Sequence, residues 1–254
     1  MNLTVPVLEL FALEKLREQE LEEARAIQSV MLPGETLRAG RVTVCHEFQP
    51  VAVVGGDFLD YFELSDGSIG MYLGDVSGKG LPATLYAALT VGTLRGVHKT
   101  GQPPSSVLST LNRRLMIRGM PRRHAAMQYA VYDPIRGEMR IASAGMPGPI
   151  HLSARGSHVM ELSGIPPGLF LSADYEMTEV QVEPGDQILF CSDGITDAMN
   201  VEEEQFGLER LQAIAEENYG ANPEELLSCI FAAVSCFSMG HEQHDDMAAI
   251  AFQC

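Results

Sequence analysis

The sequence has 254 residues, of which 46% are hydrophobic and 20% are charged, enough for one main domain with a buried core and an appendage. Its 34 acidic residues outnumber 17 basic ones, and the resulting formal charge of −17 disfavours partners such as nucleic acid or an anionic membrane. The sequence shows no signal peptide and no long apolar run, so it predicts no membrane span.

The five cysteines have no CxxC pair and no spacing typical of a disulfide framework. We therefore expect reduced, mostly buried thiols in a protein of the cytoplasm. They are Cys45, Cys191, Cys229, Cys236 and Cys254.

The first predicted element is a helix over residues 8–32, a stretch without glycine or proline. Its apolar residues recur on one stripe, which Glu20 and Gln28 interrupt. The pattern leaves open whether this stripe packs on its own domain or pairs with a second copy or a sensor partner. We interpret residues 1–33 as an N-terminal amphipathic regulatory or linker helix, and residues 34–254 as the main domain.

After a linker at 33–40, the pattern alternates between short strands and pairs of helices. Strands are predicted at 42–48, 57–64, 68–73, 125–132, 138–142, 178–182, 187–191 and 247–252, with a further hairpin within 149–162. We expect 178–182 to pair with 187–191 across the turn at 184–186. Helices are predicted at 82–97, after Pro103-Pro104, around 206–214 and after Asn222-Pro223. This order predicts an α+β sandwich in which helices cover sheets.

Four acidic turns share one arrangement, in which an aspartate stands where an apolar strand begins or ends. They are Gly55-Gly56-Asp57, Gly74-Asp75-Val76, Ser192-Asp193-Gly194 and Asp245-Asp246-Met247. If these strand ends converge, the like charges are unfavourable unless a cation or protons compensate them. Oxygen ligands without nearby histidine or cysteine favour magnesium or manganese over zinc, and two such ions could hold a water for attack on phosphorus. The alternative is four unrelated turn aspartates, since Asp before Gly is common in turns.

The segments GGDFLDYF at 55–62, GDVSGKGLPA at 74–83, CSDGITDA at 191–198 and HDDMAAIA at 244–251 carry a family resemblance. In this order and spacing they resemble the metal-dependent protein phosphatase (PPM, protein phosphatase 2C-like) family, bacterial SpoIIE/RsbU type. The resemblance runs from roughly Glu22 to the C-terminus. It implies two antiparallel β-sheets packed as a sandwich flanked by pairs of helices, with two manganese or magnesium ions at one end.

The same resemblance implies a role for each acidic residue. Asp75 would bridge both ions, and the backbone carbonyl of Val76 would add a ligand. Asp193 and Asp245 would complete the coordination of one ion, while Asp57 would serve the site from the other side, directly or through water. Asp246 would support these ligands or cap the local backbone.

The implied function is that of a serine/threonine protein phosphatase, in which a metal-activated water hydrolyses phosphoserine or phosphothreonine. By family analogy, the substrate is a phosphorylated anti-sigma-factor antagonist in a partner-switching pathway. A catalytically weak phosphatase fold acting as a regulatory or binding module is the alternative. A third hypothesis is a regulatory dimer in which the helix at 8–32 gates activity.

Several residues around the acidic turns stay open. Lys79 is the nearest cation for a substrate phosphate, although it also suits a solvated turn, and His244 is either the acid for the leaving group or a surface histidine. Cys191 is read as a core thiol rather than a nucleophile. Residues 144–148 read Ala-Gly-Met-Pro-Gly where many relatives have Ala-Gly-His-Asn-Pro, which puts any polar role of that loop in doubt.

Overall fold

A computed structural model describes residues 7–97, 102–117, 119–120 and 123–254 of the chain. Its helices are α1 (Val7–Met31), α2 (Gly80–Val97), α3 (Pro104–Ile117), α4 (Asp193–Thr196), α5 (Gly207–Glu217) and α6 (Pro223–Phe237). Its strands are β1 (Leu37–Ala39), β2 (Val42–Gln49), β3 (Phe58–Glu63), β4 (Ile69–Val76), β5 (Ala125–Asp133), β6 (Glu138–Ala144), β7 (Ile150–Ser153), β8 (Gly156–Val159), β9 (Thr178–Gln181), β10 (Gln187–Cys191) and β11 (Met247–Gln253).

The strands form two antiparallel sheets, one of six strands and one of five. The first has the order β1-β2-β11-β10-β7-β8, and the second has the order β3-β4-β5-β6-β9. The predicted α+β sandwich flanked by helices is therefore confirmed. Within the described residues, no helix combines the length and the apolar character needed to cross a bilayer.

Three apolar clusters hold these layers together. Between the two sheets, residues such as Leu59, Leu73 and Ile250 are fully buried. The helices α2 and α3 cover the outer face of the five-stranded sheet, and α5 and α6 cover the outer face of the six-stranded sheet. The order of layers is consequently helix, sheet, sheet, helix.

The strand β11 lies inside the six-stranded sheet, between β2 and β10. Every residue from Met247 to Phe252 is buried, and three of these six residues are alanines. Ala248 faces the other sheet, whereas Ala249 and Ala251 belong to the cluster under the helices. The small side chains let both neighbouring layers approach this strand closely.

The predicted pairing of residues 178–182 with 187–191 is wrong. The strand β9 pairs with β6 in the five-stranded sheet, while β10 lies between β7 and β11 in the other sheet. All five residues of β10 are buried, because the strand has a neighbour on each side and its sheet is covered on both faces. The turn between them carries the chain from one sheet to the other, and the Gly185 N–H donates to the carbonyl of Cys254 over 2.6 Å.

Four smaller points of the sequence interpretation also need correction. The predicted linker at 33–40 contains β1, which pairs with β2, and the helix α4 directly after β10 was missed. The helix α2 begins at Gly80, two residues before the expected Pro82. The five cysteines are free, but Cys229 and Cys236 are exposed, so the expectation of mostly buried thiols holds only for Cys45 and Cys191.

The helix α1 is largely exposed along the stripe that suggested pairing. Leu13, Leu16 and Ile27 are 60%, 52% and 67% exposed. Gln28, which is buried, and Met31 contact the rest of the chain, and Leu13, Leu16 and Leu21 border a groove whose other side is formed by residues 52–54 and 80–82. The division into residues 1–33 and 34–254 stays a prediction, and residues 1–6 lie outside the described part of the chain.

We expect the inter-sheet cluster to dominate stability. Leu59→Ala removes a fully buried side chain and should lower the free energy of unfolding by about 2–5 kcal/mol, as measured by urea denaturation. Leu85→Ala is the matched control, because Leu85 is 64% exposed and its loss should change stability by less than about 0.5 kcal/mol. Equal effects of the two substitutions would contradict this assignment of the core.

Candidate metal centre

The four acidic turns meet at one end of the sandwich because of how the strands pair. Phe58, which follows Asp57, is opposite Gly74, which precedes Asp75, so these two aspartates lie at the same end of the five-stranded sheet. In the other sheet β10 runs antiparallel to β11, and the end of β10 therefore lies beside the start of β11. This brings Asp193 and Asp245 to one end of their sheet.

Asp57 is the most deeply buried of the four residues, with 2% of its surface exposed. Burial raises its pKa well above the ordinary range, and the charge of Asp75 raises it further. A hydrogen bond from the Ser192 hydroxyl partly offsets this rise by lowering the pKa of Asp57. The Oδ2 atom of Asp57 is buried without a hydrogen-bond partner, which is costly for a carboxylate unless another group compensates it.

Asp75 and Asp193 are perturbed in the same direction. Burial raises the pKa of Asp75 to about 7, helped by the charges of Asp193 and Asp245. The pKa of Asp193 is raised by partial desolvation and by the charges of Asp197 and Asp245, although its side chain lies at the exposed mouth of the site. Each carboxylate thus resists ionisation next to the others, so a bound cation or protons must balance their charge.

The loop before Asp57 is held by Asp246, whose carboxylate is buried. It accepts hydrogen bonds from the backbone N–H groups of Val51 at 2.8 Å, Gly56 at 2.5 Å and Asp57 at 3.4 Å. Any side chain at Gly55 would collide with this carboxylate. Asp246 therefore caps the loop and positions Asp57, one of the two roles that the resemblance left for it.

Side chains of the helices α1 and α2 form hydrogen bonds with the same loop, at Gly55. The amide of Gln28 donates to the Gly55 carbonyl over 2.9 Å and accepts from the Gly55 N–H over 3.1 Å. The hydroxyl of Thr84 also donates to this carbonyl, over 2.8 Å. Sequence reasoning noted Gln28 only as an interruption of an apolar stripe; a buried amide at such a position was the available signal that it binds backbone.

Two glycines let backbone pass close to the carboxylates. A Cβ on Gly56 would lie 3.2 Å from the Val76 carbonyl oxygen and 3.5 Å from the Oδ1 of Asp75. A Cβ on Gly194 would collide with the backbone of Asp246. Glycine at these positions leaves the Val76 carbonyl and the Asp75 carboxylate uncovered on the side of the site.

The donor set suits a hard divalent cation. The donors are carboxylate and carbonyl oxygens, and the unpartnered Oδ2 of Asp57 is free to bind one. Within the residues that the structure describes, however, no three His, Cys, Asp or Glu side chains are already gathered around one point that an ion could fill. The residues fit magnesium or manganese by chemistry and by electrostatics, and binding would require the carboxylates to close in.

Two cations flank the turn that follows Asp75. The ammonium of Lys79 lies 3.4 Å from the Oδ2 of Asp245 and also donates to the carbonyl of His244. The guanidinium of Arg123 donates to the carbonyl of Ser77. Arg123 was missed because it lies far along the chain from this turn, in an irregular segment without a recognisable motif.

Two other residues lie in the core rather than in the site. Met146, in the loop that departs from the family pattern, is 7% exposed and packs in the inter-sheet cluster. Cys191 is buried, and burial raises the pKa of its thiol, which opposes formation of the reactive thiolate. The first observation agrees with the doubt about a polar role for the loop, and the second agrees with the interpretation of Cys191 as a core thiol.

Comparison with known proteins gives three findings on sequence and structure. The family described as "Stage II sporulation protein E (SpoIIE)" matches residues 65–254. Phosphoserine phosphatase RsbU of Bacillus subtilis (strain 168) is 28% identical over 245 residues, which cover 93% of this chain and 70% of RsbU. The SiaA-PP2C domain of Pseudomonas aeruginosa superposes with a TM-score of 0.86 at 22% identity, over 96% of this chain and 99% of that domain.

A further solved structure, RsbX in complex with magnesium, superposes with a TM-score of 0.64 at 13% identity, over 86% of this chain and 98% of RsbX. At these levels of identity, the two structural likenesses establish the fold alone. The family match is stronger evidence, because it extends over well more than half of the sequence and includes three of the four acidic turns. The chain therefore belongs to the SpoIIE family, the SpoIIE/RsbU type of the PP2C-like, metal-dependent protein phosphatases.

Proposed function

We propose that this chain is a serine/threonine protein phosphatase that hydrolyses phosphoserine or phosphothreonine on a partner protein. The carrying observation is the convergence of Asp57, Asp75, Asp193 and Asp245 at one end of the sandwich, with raised pKa values for the first three. Such a concentration of mutually destabilised carboxylates is typical of a functional site. The similarity to phosphoserine phosphatase RsbU supports the reaction.

In this proposal Asp57, Asp75, Asp193, Asp245 and the carbonyl of Val76 would hold two magnesium or manganese ions. Bound ions of this kind lower the pKa of water and offset the charge of a phosphate ester. The oxygen-only donor set supports this class of ion, as does the magnesium in RsbX.

The other residues of the site would bind the phosphate or hold the proposed metal ligands in position. Lys79, whose ammonium lies 3.4 Å from the Oδ2 of Asp245, would bind an oxygen of the incoming phosphate. Asp246, Gln28 and Thr84 keep Asp57 in place by holding the loop before it. No thiol takes part, since Cys191 is buried with a raised pKa. A catalytically weak binding module is the alternative, and the presence of all four acidic residues counts against it.

By family analogy, the phosphorylated partner is an anti-sigma-factor antagonist. A second copy or a sensor partner would bind through α1, whose exposed apolar residues are unusual for a surface helix without a partner. These are Phe11, Leu13, Leu16, Ile27 and Val30. Because Gln28 of the same helix bonds to Gly55, any displacement of α1 reaches the loop that carries Asp57.

We expect metal-dependent phosphate release from a phosphoserine protein, measured with malachite green in the presence of manganese. Asp75→Asn should reduce kcat/KM by at least about 10³-fold, because it removes a charged ligand that would hold the ions and so weakens the stabilisation that they would supply. Asp66→Asn is the matched control, since Asp66 lies in the turn at the opposite end of the same hairpin. Full activity after chelation with EDTA would refute the proposal.

A second prediction concerns pH. The pKa of Asp75 in the folded protein, about 7, exceeds its ordinary value of 3.8, so the folded state binds this proton more tightly than the unfolded state. Its contribution to stability is present below pH about 4 and is lost as the pH rises to about 7. In metal-free protein, Asp75→Asn should therefore raise the melting temperature at pH 8 but not at pH 4.

The same protonation should oppose metal binding, because the ion requires the ionised carboxylate. Apparent manganese affinity should rise between pH 5.5 and 7.5, and calorimetry in buffers of different ionisation enthalpy should detect released protons. A manganese affinity independent of pH over this range would show that the ion does not displace a proton from Asp75.

A third prediction tests the contact between α1 and the loop. Gln28→Ala removes two hydrogen bonds to the buried backbone of Gly55 and should lower the free energy of unfolding by about 1–3 kcal/mol. It should also weaken manganese affinity, measured by calorimetry, because the Asp57 loop is less constrained. Gln19→Ala, at an exposed position of the same helix, should change neither quantity. Unchanged manganese affinity in Gln28→Ala would show that the contact between α1 and the loop does not influence metal binding.

A further inference from the structure

A cavity of about 530 Å³ opens directly beside the carboxylates. Asp193 and Asp245 form part of its wall, so it is continuous with the candidate metal centre. The remaining wall comes from residues after α4, from the C-terminal part of α6 and from the segment between α6 and β11. Volumes of 300–1,000 Å³ are usual for ligand sites.

Part of the cavity lining is apolar, and its side chains can adapt to different shapes. Val234, Met199, Met239 and Met247 contribute to this part. Met239 is 73% exposed and therefore accessible to a ligand in the cavity. Methionine is unbranched and polarizable, so a surface rich in it accepts varied apolar groups.

The lining of the cavity also carries negative charge. Asp197 and Glu242 belong to it in addition to the proposed metal ligands, and it contains His241 and His244 but, among the described residues, no lysine or arginine. An acidic side chain would therefore be repelled here. A phosphate group is accommodated only where metal ions or Lys79 compensate its charge.

We infer that this cavity is the subsite for an apolar side chain of the phosphoprotein, one that flanks the phosphoserine within a few residues. The inference rests on the proposed function and specifies its substrate class. A chain that places its phosphoserine at Asp75 must continue over the neighbouring surface, and each residue advances it by at most about 3.3–3.6 Å. The cavity next to Asp193 and Asp245 is thus within reach of an adjacent residue.

The test uses phosphoserine peptides that are identical except for leucine, alanine or glutamate at one of three positions on either side of the phosphoserine. Phosphate release by the full chain is measured with manganese, and kcat/KM is compared within each set. At one position or more, leucine should exceed alanine by about tenfold or more, and glutamate should be slower than alanine.

The variant Met239→Gln places a polar side chain of similar size in the cavity lining and should reduce the leucine-to-alanine ratio severalfold. Because the result is a ratio within one enzyme, a general loss of activity does not affect it. Met120→Gln is the matched control, since Met120 is a methionine 54% exposed outside the cavity, and it should keep the wild-type ratio.

The outcomes separate the subsite from the activity. Phosphate release at equal rates from leucine and alanine peptides would overturn the subsite and leave the phosphatase proposal standing. A preference for leucine that is unchanged in Met239→Gln would likewise overturn the assignment to this cavity. No release from any phosphopeptide by the wild-type enzyme with manganese would overturn both proposals.

Discussion

The buried carboxylate of Asp246 accepts hydrogen bonds from three backbone N–H groups of the loop that leads into Asp57, and the candidate site depends on this contact. Hydrogen bonds to a charged acceptor contribute about 1.5–3 kcal/mol each, more than bonds between neutral groups. They link the start of β11 in one sheet to the start of β3 in the other. The two halves of the acidic cluster are thereby fixed relative to each other across the sandwich.

This link explains how the fold tolerates several carboxylates at one end. Burial raises the pKa values of Asp57 and Asp75, neighbouring carboxylates raise them further, and the repulsion between these carboxylates favours separation of the two sheets at that end. The inter-sheet cluster and the hydrogen bonds at Gly55 and Gly56 oppose it. The protein thus keeps a destabilised site assembled by stabilising its surroundings, as enzymes commonly do.

Much of the architecture could be predicted from the sequence, because strand and helix patterns are local. The positions of Asp57, Asp75, Asp193 and Asp245 at strand ends followed from apolar runs next to glycine-containing turns. The separation of β9 from β10 could not be predicted in this way. The turn Pro184-Gly185-Asp186 looks like a hairpin turn, and only the burial of β10 between two other strands distinguishes the alternatives.

Residues that act through tertiary contacts could not be identified from the sequence either. Gln28 and Arg123 meet their partners across 27 and 46 residues of sequence, and no local pattern marks those partners.

The alanine-rich strand β11 has a consequence for how this sequence can change over time. Both layers approach Ala248, Ala249 and Ala251 closely, so a larger side chain at any of them has no space to enter without displacing a sheet or a helix. Larger side chains at these three positions would overpack the layers and destabilise the fold, so selection removes them. Mutational drift elsewhere can reshape the surface, while Asp245 and Asp246 keep their place because the strand behind them cannot move.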